Sequence, residues 1–145
     1  MRNVTIMLAA LFGGFGTALA LGAPSEAAGR YAIAAVFAFT GFGHFVRSRE
    51  MTALLPASIP GRHGLILVSG MLELAFSVLV VMPRYSYVAG VSICFFLVLV
   101  TPLNVLAAIR KVDFGGHGAG VGYLWIRLPL QVLLIVWTFW FTIRS

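Results

Sequence analysis

The sequence predicts an all-α integral membrane protein, a four-helix bundle preceded by one extra N-terminal transmembrane helix. Three observations carry this expectation. Of 145 residues, 61% are hydrophobic and only 10% are charged, against about 25% charged in ordinary soluble domains. Apolar runs of about 20 residues, the length that crosses a hydrocarbon core, alternate with short polar connectors. The basic residues behind the net charge of +6 sit in those connectors, where they set topology and meet anionic head groups. Membrane lipids, and no nucleic acid, are therefore the partners expected of that charge. The single cysteine, Cys94, lies inside an apolar run, which excludes an intrachain disulfide or a cysteine-rich metal centre and points to packing.

The chain divides at about residue 30. Residues 1–29 form an N-terminal transmembrane helix and turn, and residues 30–145 form the four-helix domain. The first stretch starts with Arg2 and runs through VTIMLAALFGGFGTALALG. It also fits a signal peptide, with Ala18-Leu19-Ala20 resembling a cleavage site. We read it as a first spanning helix whose Gly13, Gly14 and Gly16 admit another helix closely. Pro24 to Gly29 reads as a polar turn. A second helix, Arg30 to Val46, is short for a span, so Arg30 and Arg47 are expected to snorkel at its ends. Arg47 to Pro60, with its charges and two prolines, reads as an interfacial segment that either caps a cavity mouth or merely connects.

The third helix, Gly61 to Pro83, is apolar except for Ser69 and Glu73, one turn apart on the same face. The fourth, Ser86 to Ile109, contains Pro102, which removes a backbone donor. Val112 to Gly120 is glycine-rich but lacks the lysine and hydroxyl of a phosphate loop, so a flexible turn is expected. The fifth helix, Val121 to Ile143, carries Arg127 and Gln131 four residues apart. With five spans, Arg2 and the connectors around 47–63 and 110–120 share one side, while Arg30, Arg84 and Arg144 share the other. The more basic side is assigned to the cytoplasm, giving an inside N-terminus and an outside C-terminus. Four spans plus an irregular first segment is the alternative.

Helices two to five each bring a polar pair to similar depth, counting 1.5 Å per residue: Thr40/His44, Ser69/Glu73, Thr101/Asn104 and Arg127/Gln131. None belongs in lipid, so all four faces are expected to turn inward around a polar pocket. Two readings stay open. In one, Glu73 and Arg127 form a buried ion pair that His44, Asn104 and Gln131 satisfy. In the other, a ligand enters: Glu73 and His44 act as catalytic proton carriers, while Ser69, Asn104, Arg127 and Gln131 bind it. A metal held by His44, His63 and His117 is the weaker idea, because their spacing matches no helical ligand pair; no metal site is assigned. A serine nucleophile at Ser69 lacks its elbow motif.

These residues lie in a collinear series of short motifs: Gly41-Phe42-Gly43-His44-Phe45, Leu55-Pro56, Ile59-Pro60, Ser69-Gly70-Met71-Leu72-Glu73-Leu74, Pro102-Leu103-Asn104, and Arg127-Leu128-Pro129-Leu130-Gln131 leading to Trp137. Over about residues 30–145 the series resembles the DoxX-like family of small integral membrane proteins. That resemblance implies a four-helix membrane bundle in the bacterial inner membrane; residues 1–29 fall outside it. Family members include a small membrane subunit of a thiosulfate:quinone oxidoreductase, parts of redox-stress complexes, and receptor chaperones. The expectation is a protein that binds a small lipophilic molecule, quinone being the possible cofactor, as part of a redox system. This chain has no haem, flavin or iron–sulfur motif, so electrons are expected from a partner redox protein. The alternatives are a cofactor-free acid–base enzyme, an isomerase or hydrolase, on a lipophilic substrate, and a non-catalytic membrane assembly factor. Small residues on the first helix hint at a homo-oligomer.

Overall fold

The computed structural model describes residues 2–145; Met1, where the first expected helix begins, lies outside them. Every regular element among the described residues is helical. Helix α1 covers Arg2–Ala20 and widens into a π-turn at Ala9–Gly13. Helix α2 covers Ser25–Val46 and α3 is a short helical turn, Ser48–Thr52. Helices α4 and α5 cover Arg62–Val81 and Ser86–Ile109. Helix α6 covers Leu124–Thr138 and continues as a π-turn, Phe139–Ile143. A stretch of 310 character, His117–Tyr123, leads into it.

The helix ends follow from local chemistry. At the end of α1 the Gly22 N–H donates to the Leu19 carbonyl and the Ala23 N–H to the Ala18 carbonyl. This is a Schellman closure, with Gly22 at φ +84° and Pro24 just beyond. The expected polar turn at 24–29 is instead the first turn of α2. Pro24 precedes it and Glu26 sits in its first turn, where proline costs no hydrogen bond and a carboxylate meets the positive helix end. Gly120, at φ 71° and ψ −149°, breaks the helical path, residues 121–123 then form a tighter 310 turn, and the α-helix proper starts at Leu124 rather than Val121.

Helices α2, α4, α5 and α6 contact one another in a closed ring, with α2 against α4 most extensively, and α1 lies along α2. One core joins all five: Leu11 of α1, Ile33 and Val36 of α2, Val80 of α4, Ile93 of α5 and Leu134 of α6 are all at most 1% exposed. Helices Arg2–Ala20, Arg62–Val81, Ser86–Ile109 and His117–Ile143 are long and apolar enough to cross a membrane, with mean hydropathies of 1.6 to 2.3. Only 17% to 28% of those windows is buried within the protein. Outward residues such as Phe42, Phe95, Trp125 and Val88 therefore need an apolar surrounding that the chain does not supply. We conclude that this is a helical membrane protein. Helix α2 has the length but not the apolarity, and it is also the helix its neighbours wrap: Ala28, Ala32, Ile33, Val36, Phe37 and His44 on it are all buried. A helix shielded by protein can carry polar groups that a lipid-facing one cannot.

Candidate functional site

The site begins with two glycines. Helices α2 and α4 approach so closely that a Cβ added at Gly70 would lie 2.6 Å from the His44 Cβ. One added at Gly41 would lie 3.1 Å from the Gly70 carbonyl oxygen. His44 follows Gly41 by three residues, and Glu73 follows Gly70 by three. Each polar side chain therefore sits opposite the other helix's glycine, His44 against Gly70 and Glu73 against Gly41.

Close backbones let His44 reach across to α4. Its Nδ1 lies 2.9 Å from the Ile66 carbonyl oxygen, to which Nδ1–H donates, because a carbonyl only accepts. Ser69 Oγ lies 2.9 Å from the same nitrogen and donates its own hydrogen to Ile66 at 2.8 Å. The other ring nitrogen, Nε2, faces Glu73 Oε1 at 3.4 Å. With Nδ1–H committed to Ile66, Nε2 is the ring nitrogen left to face the carboxyl group. At 3.4 Å this contact is longer than a usual N–H···O bond of about 2.7–3.2 Å. Both residues are buried.

The expected ion pair between Glu73 and Arg127 is not formed. Glu73 pairs with His44, and Arg127 has no carboxylate within ion-pair distance among the described residues. The reason is reach: the glycine crossing brings α2 to α4 directly, whereas Arg127 is held on the other side by different neighbours. Its Nη1 donates to Met7 Sδ at 3.7 Å, and the Tyr123 hydroxyl lies beside its guanidinium. The two groups nevertheless border the same hollow. A cavity of about 680 Å³ opens at the end of the bundle that carries Arg2 and Arg47, and it is bordered by His44, Ser69, Glu73, Asn104, Arg127 and Gln131 together. Its walls are otherwise mainly apolar, Phe37, Leu72, Phe96, Leu103 and Leu134 among them. Arg47, Met51 and Leu55 place the 47–60 connector at its rim, as the capping reading expects.

The remaining polar residues are more committed. Gln131 Nε2 donates to the Leu97 carbonyl at 2.6 Å, and Thr101 Oγ1 donates to the same oxygen at 2.8 Å. That double use occurs beside the helix turn where Pro102 lacks its N–H. Asn104 Nδ2 donates to Val100, and Thr40 Oγ1 to Val36, each within its own helix. His63 sits apart, at 3.2 Å from Thr52 Oγ1, and no group of three metal-binding side chains converges among the described residues.

Sequence reasoning missed one part of the wall. His117, Tyr123, Met7 and Asn3 also border the cavity. The glycine-rich loop was expected to be a bland turn, yet left-handed Gly115 and Gly116 fold it back so that His117 is buried against Tyr123, rings 4.9 Å apart. His117 Nδ1–H donates to the Phe114 carbonyl at 2.8 Å. The available signal was a histidine in a glycine-rich loop joined directly to the helix bearing Arg127. Three buried polar atoms on these side chains have no hydrogen-bond partner among the described residues: Glu73 Oε2, His117 Nε2 and Arg127 Nε. Each of the three is enclosed by its neighbours rather than open to the hollow, and Arg30 Nε, on a side chain that does not border the cavity, is a fourth such atom.

Against known proteins, residues 33–142 match the family model described as a domain of unknown function, DUF8561. No curated protein and no solved structure matches the chain.

Proposed function

The chain belongs to the DUF8561 family, and on that premise we propose that it binds a small lipophilic molecule with an oxygen-bearing head in the cavity at its basic end. The observation that carries this is a mainly apolar hollow of about 680 Å³ whose border also includes His44, Glu73, Tyr123 and Arg127. The volume falls in the range of ordinary ligand sites, about 300–1,000 Å³. Quinone is the leading occupant, as part of a redox system in which a partner protein supplies electrons. Arg127 and Tyr123 would hold a carbonyl oxygen, while His44 and Glu73, which face each other across the α2–α4 contact, would exchange protons with the other.

The DoxX-like reading belongs to the same proposal. It is supported by the closed ring of α2, α4, α5 and α6. The motif glycines Gly41 and Gly70 lying at the α2–α4 contact add to it. In that reading α1 is the added N-terminal transmembrane helix. We place the protein in a bacterial inner membrane with the cavity end in the cytoplasm, because Arg2, Arg47, Arg49, Arg62, Arg110 and Lys111 lie toward that end.

The test is ligand-dependent melting of the purified protein. A quinone should raise the melting temperature saturably, more strongly with a longer tail, and the rise should be lost in Arg127→Ala. A second reading, a cofactor-free acid–base enzyme on a lipophilic substrate, is favoured by the facing His44 and Glu73 side chains. Turnover by the chain alone, abolished in Glu73→Gln, would select it over the first.

A further inference from the structure

The cavity reaches the side of the protein as well as its basic end. Leu72 of α4 and Leu99 of α5 both border it, yet they are 44% and 60% exposed. We propose that the ligand enters and leaves between these two helices, directly from the bilayer, and that it is a long-chain amphiphile whose tail stays in the lipid while its head sits inside. The inference rests on the ligand-binding reading above and adds to it a route and a tail.

Depth puts lipid rather than water outside this opening. Leu72 stands ten residues from Arg62 at the start of α4, and Leu99 ten from Ile109 at the end of α5. At 1.5 Å per residue both are about 15 Å from the basic end, well inside a hydrocarbon core of about 30 Å. Exposed Leu65 and Val68 share the Leu72 face of α4 and continue the cavity border toward that end. The inner limit of the opening is aromatic. One turn farther from the basic end, Phe76 of α4 meets Phe96 of α5 edge to face, with centroids 5.7 Å apart, and Phe76 also meets Phe37 of α2. The two helices are thus joined at that contact and carry exposed leucines below it. The aqueous mouth is more obstructed. Arg47, at the end of α2, lies over the Phe114 ring of the 112–120 loop, 5.9 Å from its centroid, and both border the cavity. Buried Leu55 of the 47–60 connector borders it too. Leucine and valine edges offer a hydrocarbon chain dispersion contacts and a polar head no partner, so the head passes inward and the chain stays. Two other exposed border residues, Ile6 of α1 and Phe39 of α2, stand nearer the basic end, about 6 and 10 Å from Arg2 and Val46.

The experiment uses the full-length protein in lipid nanodiscs and benzoquinones that share one head but carry a methyl group, an n-decyl chain or a triprenyl chain. Its first readout is the ratio of long-tailed to methyl affinity, which cancels any general loss of binding. Leu72→Trp and Leu99→Trp each place a larger side chain in the opening and should lower that ratio about tenfold, within the usual penalty of overpacking. Val91→Trp, exposed on α5 but outside the cavity border, should keep the wild-type ratio. The long chain that binds wild type more tightly identifies the tail as straight or prenylated. The second readout needs no variant: saturable labelling of wild type by a decyl benzoquinone with a diazirine at mid-chain, which should fall within residues 65–72 and 96–103. An unchanged ratio in both border variants, or labelling at Ile6, Phe39 or the 47–60 connector instead, overturns the proposal and leaves the cavity reading standing. Absence of saturable binding by every quinone overturns both.

Discussion

Gly70 decides where Glu73 can go. A methyl group at that position would stand 2.6 Å from the His44 Cβ, closer than packed carbons tolerate, so α2 and α4 must separate to admit it. Gly70→Ala should destabilise the protein by about 1–3 kcal/mol, the usual penalty of overpacking, seen as a lower melting temperature. Gly64→Ala, on the same helix with open space around it, should be neutral or slightly stabilising, because alanine is the better helix former. The His44–Glu73 contact makes a second prediction. In a double-mutant cycle of His44→Phe and Glu73→Gln, the two changes should be non-additive by about 0.5–3 kcal/mol. Additive effects would show that the side chains do not sense each other. The polar faces themselves were legible in the sequence, since Thr40/His44, Ser69/Glu73 and Arg127/Gln131 each recur at helical spacing. The partner of Glu73 was not. Opposite charge suggested Arg127, but partner choice depends on how near two backbones come, and that is set by Gly41 and Gly70 together.

Among the helices, α1 and α2 carry the clearest lessons. Leu11 of α1 is fully buried in the common core, while Phe12 beside it is 54% exposed. Leu11→Ala should therefore cost about 2–5 kcal/mol, and Phe12→Ala much less, as compared by thermal melting in the same detergent. Equal losses would mean that α1 is not seated as described. The core positions of α2 reflect its place at the centre of the bundle, which its sequence expresses as a lower hydropathy than its neighbours. Its start was misread because Pro24 suggested a turn, although proline before Ser25 and Glu26 also opens a helix. The apolar spans of α4 and α5 were legible almost to the residue, since Pro83 and the basic Arg110-Lys111 pair bound them. The fold of 112–120 was not, because positive φ at Gly115, Gly116 and Gly120 is permitted by glycine but not announced by it.

At the scale of the whole molecule, the outward apolar surface and the basic end together give an orientation that can be tested. In a Cys94→Ala background, Arg2→Cys should react with a membrane-impermeant maleimide only after the cytoplasmic face is opened, and Ser145→Cys should react on intact cells. The reverse pattern would invert the proposed topology without altering the fold. The cavity lies at one end of the ring of helices, and α1 contributes Ile6 and Met7 to its border, so the hollow is a property of the full set of helices.

The central claim is that this hollow holds a lipophilic molecule whose head meets the polar groups around it. Native mass spectrometry of the gently purified protein, followed by organic extraction, tests it most directly. The account predicts one co-purifying lipophilic molecule per chain that is lost from Arg127→Ala. A wild-type protein that is empty in every preparation, and stays empty when quinones are added, would contradict it.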